Sequence, residues 1–242
     1  MKNIKIKHLS YTLITVLAIS NLILLTSSGT KNDNSVSLQT VNSVVQNKVY
    51  DFAGEDLPLD DPEVFERLDR ELSSNTYWQS NTLQLLKLSE KYFPIIEPIL
   101  LENGIPEDFK YLAVAESGLR HAVSPAGARG MWQFMKSTGR SYGLTINSEI
   151  DERYDVEKST RAACKYLNDA YIKYGNWTLA AASYNMGMVG LQNKLNQQLE
   201  DNYYDLWLNR ETSRYVLRIV AFKEIMQNPR AYGFIYHYGV DA

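Results

Sequence analysis

The 242-residue sequence is poor in the side chains that build metal and disulfide chemistry: it has one cysteine, Cys164, and three histidines, His8, His121 and His237. A single cysteine makes no disulfide framework, and these residues have no zinc-ligand spacing, so neither a metal nor another cofactor is expected. Positive charge is not in excess. Lys and Arg number 25 against 28 Asp and Glu, a net charge of -3 that leaves nothing to hold a polyanion non-specifically, so nucleic acid is not an expected partner. The apolar run Tyr11 to Leu25 is 15 residues long and is interrupted by Ser20 and Asn21, short of the ~20 that cross a bilayer. What is present is an ordinary globular composition, 45% hydrophobic and 22% charged, enough to build a core. Aromatics reach 12%, led by 17 tyrosines, rings that pack cores and also line sugar-binding grooves.

Lys2, Lys5 and Lys7 precede the apolar run, and Thr26, Ser27, Ser28 and Gly29 follow it, the layout of a secretory signal. Residues 1–28 are therefore read as a signal peptide or an uncleaved anchor, and the chain as exported. Lipid attachment needs a cysteine just after such a run, and none stands there. Cys164 enters an oxidising compartment unpaired, which a buried thiol tolerates. Residues 29–57, rich in Ser, Asn, Thr, Gln and Val without helical period, read as a flexible linker. One domain over 58–228 and a tail over 229–242 complete the expected organisation.

The domain reads as all-α, with about eight helices. Asp61-Pro62 supplies an N-cap and a first-turn proline ahead of Val64, Leu68 and Leu72, predicting a helix over 62–73. A longer helical stretch over 79–102 contains Pro94 and Pro98, which are expected to kink or divide it. Further helices are predicted over 106–117, 130–141, 155–174, 177–186, 188–199 and 211–227, and no region shows sustained strand alternation.

Glu116 follows Ala113 by three residues, Leu112 by four and Phe109 by seven, which sets it on the apolar face of its helix. It also lies in the last turn before Gly118, where the helix dipole disfavours negative charge. Burial and dipole together favour the protonated form that a general acid requires. The same position is compatible with a glutamate at a frayed end turned out to solvent. The segment Ser124 to Phe134 adds Gly127 and Gly130 for a tight turn, and then Met131, Trp132 and Gln133, read as opening a helix that could line a groove. An amide at Gln133 among apolar neighbours needs a hydrogen-bond partner, and a sugar acetamido group would be a suitable one. Tyr184-Asn185 stands just before the glycine C-cap Gly187. Tyr215, beside Val216 and Ile219 on the last amphipathic helix, reads on its own as a core tyrosine.

Taken in order, Glu116-Ser117, Ser124 to Gln133, Tyr184-Asn185 with Gly187, and Tyr215 resemble the signature of lytic transglycosylases of the goose-type-lysozyme-like superfamily, most like the membrane-bound type D group. Each motif alone is weak, and their joint order over about residues 58–228 is specific. The resemblance implies a lysozyme-like helical domain that cleaves the β-1,4 bond between N-acetylmuramic acid and N-acetylglucosamine in peptidoglycan. Glu116 would be acid and then base, and Ser117, Ser124, Met131, Trp132, Gln133, Phe134, Tyr184, Asn185 and Tyr215 would shape the substrate site, Tyr215 by hydrogen-bonding near the glutamate. The expected setting is a monomer in the periplasm or cell envelope acting on glycan strands, with membrane attachment through the N-terminal segment left open. Type D enzymes usually carry C-terminal LysM modules, and none is expected here because the sequence ends at Ala242.

Most glycosidases use two carboxylates flanking the bond. After Glu116 the next acidic residue is Glu149, so the motif-bearing stretch offers no local partner, although a distant acid could fold in. Without one, the substrate supplies the nucleophiles, first its N-acetyl oxygen and then muramoyl O6, and a 1,6-anhydro end results. A lysozyme-type muramidase, in which water attacks, and a non-catalytic peptidoglycan-binding domain are the alternative readings.

Overall fold

The computed structural model describes residues 44–45 and 48–235. The leader, most of the linker and the end of the tail lie outside the described residues. Helices dominate: α1 (Pro62–Tyr77), α2 (Gln79–Glu102), α3 (Phe109–Ser117), α4 (Lys136–Ser141), α5 (Val156–Tyr174), α6 (Trp177–Met186), α7 (Met188–Gln198) and α8 (Thr212–Gln227). The expected all-α class holds. The strands among the described residues are the two-residue β1 (Asp51–Phe52) and β2 (Glu55–Asp56), paired antiparallel through Ala53 and Gly54, both at positive φ. Among the described residues no helix is long and apolar enough to cross a membrane.

Local chemistry sets the helix ends. Asp61 accepts a hydrogen bond from the Glu63 amide ahead of Pro62. Asp155 caps α5 through Lys158 N, and Asn176 caps α6 through Leu179 N. Gly118 and Gly175 close α3 and α5 in the left-handed conformation. Val64, Leu68 and Leu72 bury one side of α1 against α8. The long helix α8 sits at the middle of the fold, packing on α1, α3 and α6, and most of its side chains from Tyr215 to Ile225 are buried. Cys164 is buried on α5, where the apolar surroundings push its thiol pKa up to about 12 and leave it inert.

One expectation is narrowed and two are corrected. The prolines do not divide α2, which is one element with Pro94 and Pro98 inside it. Both are exposed, as is Glu90, whose carbonyl loses its amide partner at Pro94 and can bind water instead. The helix expected over 130–141 begins only at Lys136. Ahead of it Arg129 bridges to Val123 and to Phe134, and Gly130 and Gln133 take φ of 80° and 48°, which no α-helix accommodates. The flexible linker expected over 29–57 is packed where it is described. Tyr50, Phe52 and Leu57 are buried, and the Phe52 ring meets Phe109 edge-on at 5.0 Å. The start of the tail is packed as well, with Tyr232 and Phe234 buried. A few well-spaced apolar side chains in polar text are enough to dock such segments, and they leave no periodic signal.

Candidate active site

Glu116 is the penultimate residue of α3, and its side chain reaches α8, where the Tyr215 hydroxyl donates a hydrogen bond to Oε1. Burial pushes the Glu116 carboxyl from its ordinary 4.5 up to about 7. The Tyr215 hydrogen bond and the positive charge of Arg218 pull in the opposite direction, and the negative charge of Glu211 adds to the rise. Of the two orientations left open by the sequence, the apolar-face one is observed. Tyr215 is itself buried, and burial together with the neighbouring carboxyl raises its own pKa, keeping the phenol a donor.

Tyr184 and Asn185 end α6 beside the same contact. Tyr184 donates through its hydroxyl to the Trp132 carbonyl at 2.9 Å, and its ring packs edge-on to Phe134 and Tyr166. Half-buried, its hydroxyl desolvated and close enough to feel the charge on Glu116, it stays neutral. Asn185 Oδ1 accepts from Thr212 Oγ1 at 2.9 Å, which fastens the end of α6 to the start of α8. The helix carrying these residues is anchored at its other end from the hairpin: the Glu55 carboxylate accepts from Trp177 N at 2.6 Å and from Thr178 N at 2.9 Å, a negative group at a helix N-terminus. A residue expected in a flexible linker thereby positions a site helix.

The loop 123–134 is built inward. Met131, Trp132 and Phe134 are 1%, 0% and 3% exposed, so these three expected groove-lining side chains belong to the core. Trp132 Nε1 donates to Thr160 Oγ1 at 2.9 Å, which meets the cost of burying an indole N–H. Gln133 alone of residues 131–134 is half-buried. Its amide partner is the protein: Nε2 donates to Gly130 O at 2.7 Å and to Ala122 O at 3.1 Å, bonds that hold a non-glycine residue at positive φ. Ser124 closes the turn, its Oγ accepting from Ala128 N at 3.0 Å. Ser117 Oγ donates to Ala113 O at 3.2 Å and accepts weakly from Arg120 N. The structure thus brings together Glu116, Tyr184 and Tyr215, ties Asn185 to Thr212 one helical turn before Tyr215, adjoins Ser117 and Gln133 to them through the chain, and puts Ser124 in a turn that supports the loop.

Arg153 was not read from the sequence. Buried under the loop, it pairs with Asp151 through Nε at 2.8 Å and Nη2 at 2.7 Å, and its Nη1 donates to the carbonyls of Gly127 and Phe134. Gly130 lies against its backbone, where an added Cβ would meet Arg153 O at 1.8 Å. Glu211 is a distant acid whose negative charge reaches Glu116, but the residue is exposed and makes no hydrogen bond to Glu116 among the described residues, so it enters the electrostatics and not the bond cleavage. Glu211, Tyr215 and Arg218 at i, i+4 and i+7 share one helix face, a spacing that could have found them. Among the described residues no cluster of His, Cys, Asp and Glu is arranged to hold a metal ion.

Residues 94–206, which hold three of the four motifs, match the family of the transglycosylase SLT domain. Over those residues the chain is similar to a transglycosylase SLT domain. It is 31% identical over 191 residues to membrane-bound lytic murein transglycosylase D of Escherichia coli (strain K12), an alignment covering 75% of this chain and 41% of that protein. It is 30% identical over 119 residues to membrane-bound lytic murein transglycosylase F of Salmonella typhi, covering 44% of this chain and 24% of that one. The chain thus spans about two fifths of the length of its type D relatives. The SLT match begins at Pro94 inside α2 and ends at Leu206, before Tyr215, so the tyrosine that holds Glu116 comes from a helix beyond the matched segment.

Proposed function

We propose that this protein is a peptidoglycan lytic transglycosylase that cleaves the β-1,4 bond between N-acetylmuramic acid and N-acetylglucosamine, with Glu116 as its single acid and base. The observation that carries the reading is the Glu116 carboxyl, desolvated on a half-buried residue, tied to Tyr215 and shifted up to about 7 within an SLT-type fold. A carboxyl with that value holds its proton at mildly acidic pH, as a general acid must, and can accept one at the next step.

In the first step the Glu116 proton passes to the glycosidic oxygen while the muramoyl N-acetyl oxygen bonds to C1, and the N-acetylglucosamine side departs as an alcohol. In the second, the Glu116 carboxylate takes the proton of the muramoyl 6-hydroxyl, O6 bonds to C1, and the bond from the acetyl oxygen breaks. Glu116 ends protonated, a 1,6-anhydro end remains, and no water is consumed. Tyr215 stabilises the transient carboxylate between the steps and orients it. Asn185 and the free face of Gln133 are the polar groups assigned to the sugars. Met131, Trp132, Phe134 and Ser124 act by holding the loop, and Tyr184 by tying it to α6.

The substrate places the protein in the cell envelope, exported by its leader, and the names of its relatives support the same setting. The test is to digest purified peptidoglycan and weigh the released muropeptides. Products lighter by one water than those of a muramidase are expected. Reducing-end products would assign a muramidase instead, and no release by folded protein would assign a binding domain.

A further inference from the structure

The proposed reaction leaves one charged cluster beside the site unused. Tyr215 touches Glu116, and Arg218 follows it by three residues on the same face of α8, about 4.5 Å further along the axis. Arg218 Nε lies 3.5 Å from Glu71 Oε2, and Arg214 Nε donates to Glu71 Oε1 at 2.6 Å. The Glu71 side chain, on α1, is 4% exposed, whereas those of Arg214 and Arg218 are 17% and 28% exposed. One buried carboxylate therefore steadies two guanidiniums, and one positive charge of the three groups is left over.

The terminal nitrogens of both arginines carry no hydrogen bond among the described residues, and none of them is a buried atom without a partner, so these donors face solvent. A guanidinium held by its Nε presents its remaining N–H groups as a rigid fork, the geometry that fits a carboxylate. A solvent-facing cationic fork one helical turn from an acid-base carboxyl is suited to an anionic group on the molecule that the carboxyl acts upon.

We propose that Arg218, steadied by Glu71 and Arg214, receives a carboxylate of the peptidoglycan strand next to the bond being cut. The proposal rests on the transglycosylase reading for its substrate. Two sources carry that chemistry: the free lactyl carboxylate of a strand stripped of peptide, and the carboxylates of an attached stem peptide. In either case neutral oligosaccharide lacks the group.

The test measures binding without turnover, in Glu116→Gln and in Glu116→Gln combined with Arg218→Gln, by calorimetry with three ligands. These are the N-acetylglucosamine hexamer, amidase-stripped glycan strands and peptide-bearing strands. Loss of a charge-assisted hydrogen bond should weaken binding of an anionic strand about 10- to 100-fold and leave the hexamer unchanged. A loss confined to stripped strands identifies the lactyl group, and one confined to peptide-bearing strands the stem peptide. Equal weakening for the hexamer, or no weakening for any strand, overturns the proposal. Should the double variant unfold, the salt dependence of Glu116→Gln decides: affinity for the anionic strands must fall with ionic strength while that for the hexamer does not. Because binding is read without catalysis, failure of the carboxylate contact is distinguishable from failure of wild-type protein to form anhydro products.

Discussion

Glu116→Gln tests the central carboxyl through stability as well as through activity. Glutamine keeps the shape and the oxygen that accepts from Tyr215, and it stays neutral at every pH. In the wild type the folded protein holds the Glu116 proton up to about 7, whereas the unfolded chain releases it near 4.5. The folded state therefore binds more protons across that interval, and stability falls as pH rises through it. At ~1.4 kcal/mol for each pH unit between the two values, the wild type loses about 3 kcal/mol relative to the glutamine variant between pH 4 and pH 8. For a unit of this size that corresponds to roughly 6–12 °C in melting temperature. Thermal or urea unfolding of both proteins at pH steps from 4 to 9 should give curves that coincide in acid and diverge above pH 5, the variant being the more stable. Over the same range the variant should lose at least ~10²- to 10⁴-fold in release of anhydro-muropeptides. Parallel stability curves would show an ordinary carboxyl and refute the burial argument, whatever happened to activity.

Tyr215→Phe removes the donor that favours the Glu116 carboxylate, so the alkaline limb of kcat/KM should move above about 7, which a pH-rate profile checks. Arg153→Gln abandons a buried pair and two loop carbonyls. It should cost about 3 kcal/mol in urea unfolding and lower turnover by loosening residues 127–134. Gly130→Ala drives a methyl group into the Arg153 carbonyl at positive φ and should cost about 3 kcal/mol or more. By contrast Gly175→Ala, with open space around it, should cost only about 1 kcal/mol for its left-handed backbone, and melting temperatures compare the two.

The helical class, the ends of α6 at Trp177 and Met186, and the order of the motifs were legible because they rest on local rules. Apolar residues at three- and four-residue steps make a stripe, Asp, Asn and Gly mark ends, and Glu116 at offsets 3, 4 and 7 from apolar neighbours must share their face. Short-range spacing could not say what meets that face. Tyr215 lies 99 residues away, and only the packing of α3 on α8 makes it the partner of Glu116 and admits Glu211 and Arg218 to its electrostatics. The loop 123–134 misled because Met131, Trp132 and Phe134 carry helix-compatible side chains, while the positive φ of Gly130 and Gln133 comes from distant partners, the Arg153 backbone and the Ala122 carbonyl. Residues 48–57 misled because aperiodic text still docks when Phe52 finds Phe109 and Glu55 finds the start of α6. Periodicity reports contacts within one element, and a buried carboxyl takes its proton affinity from contacts between elements.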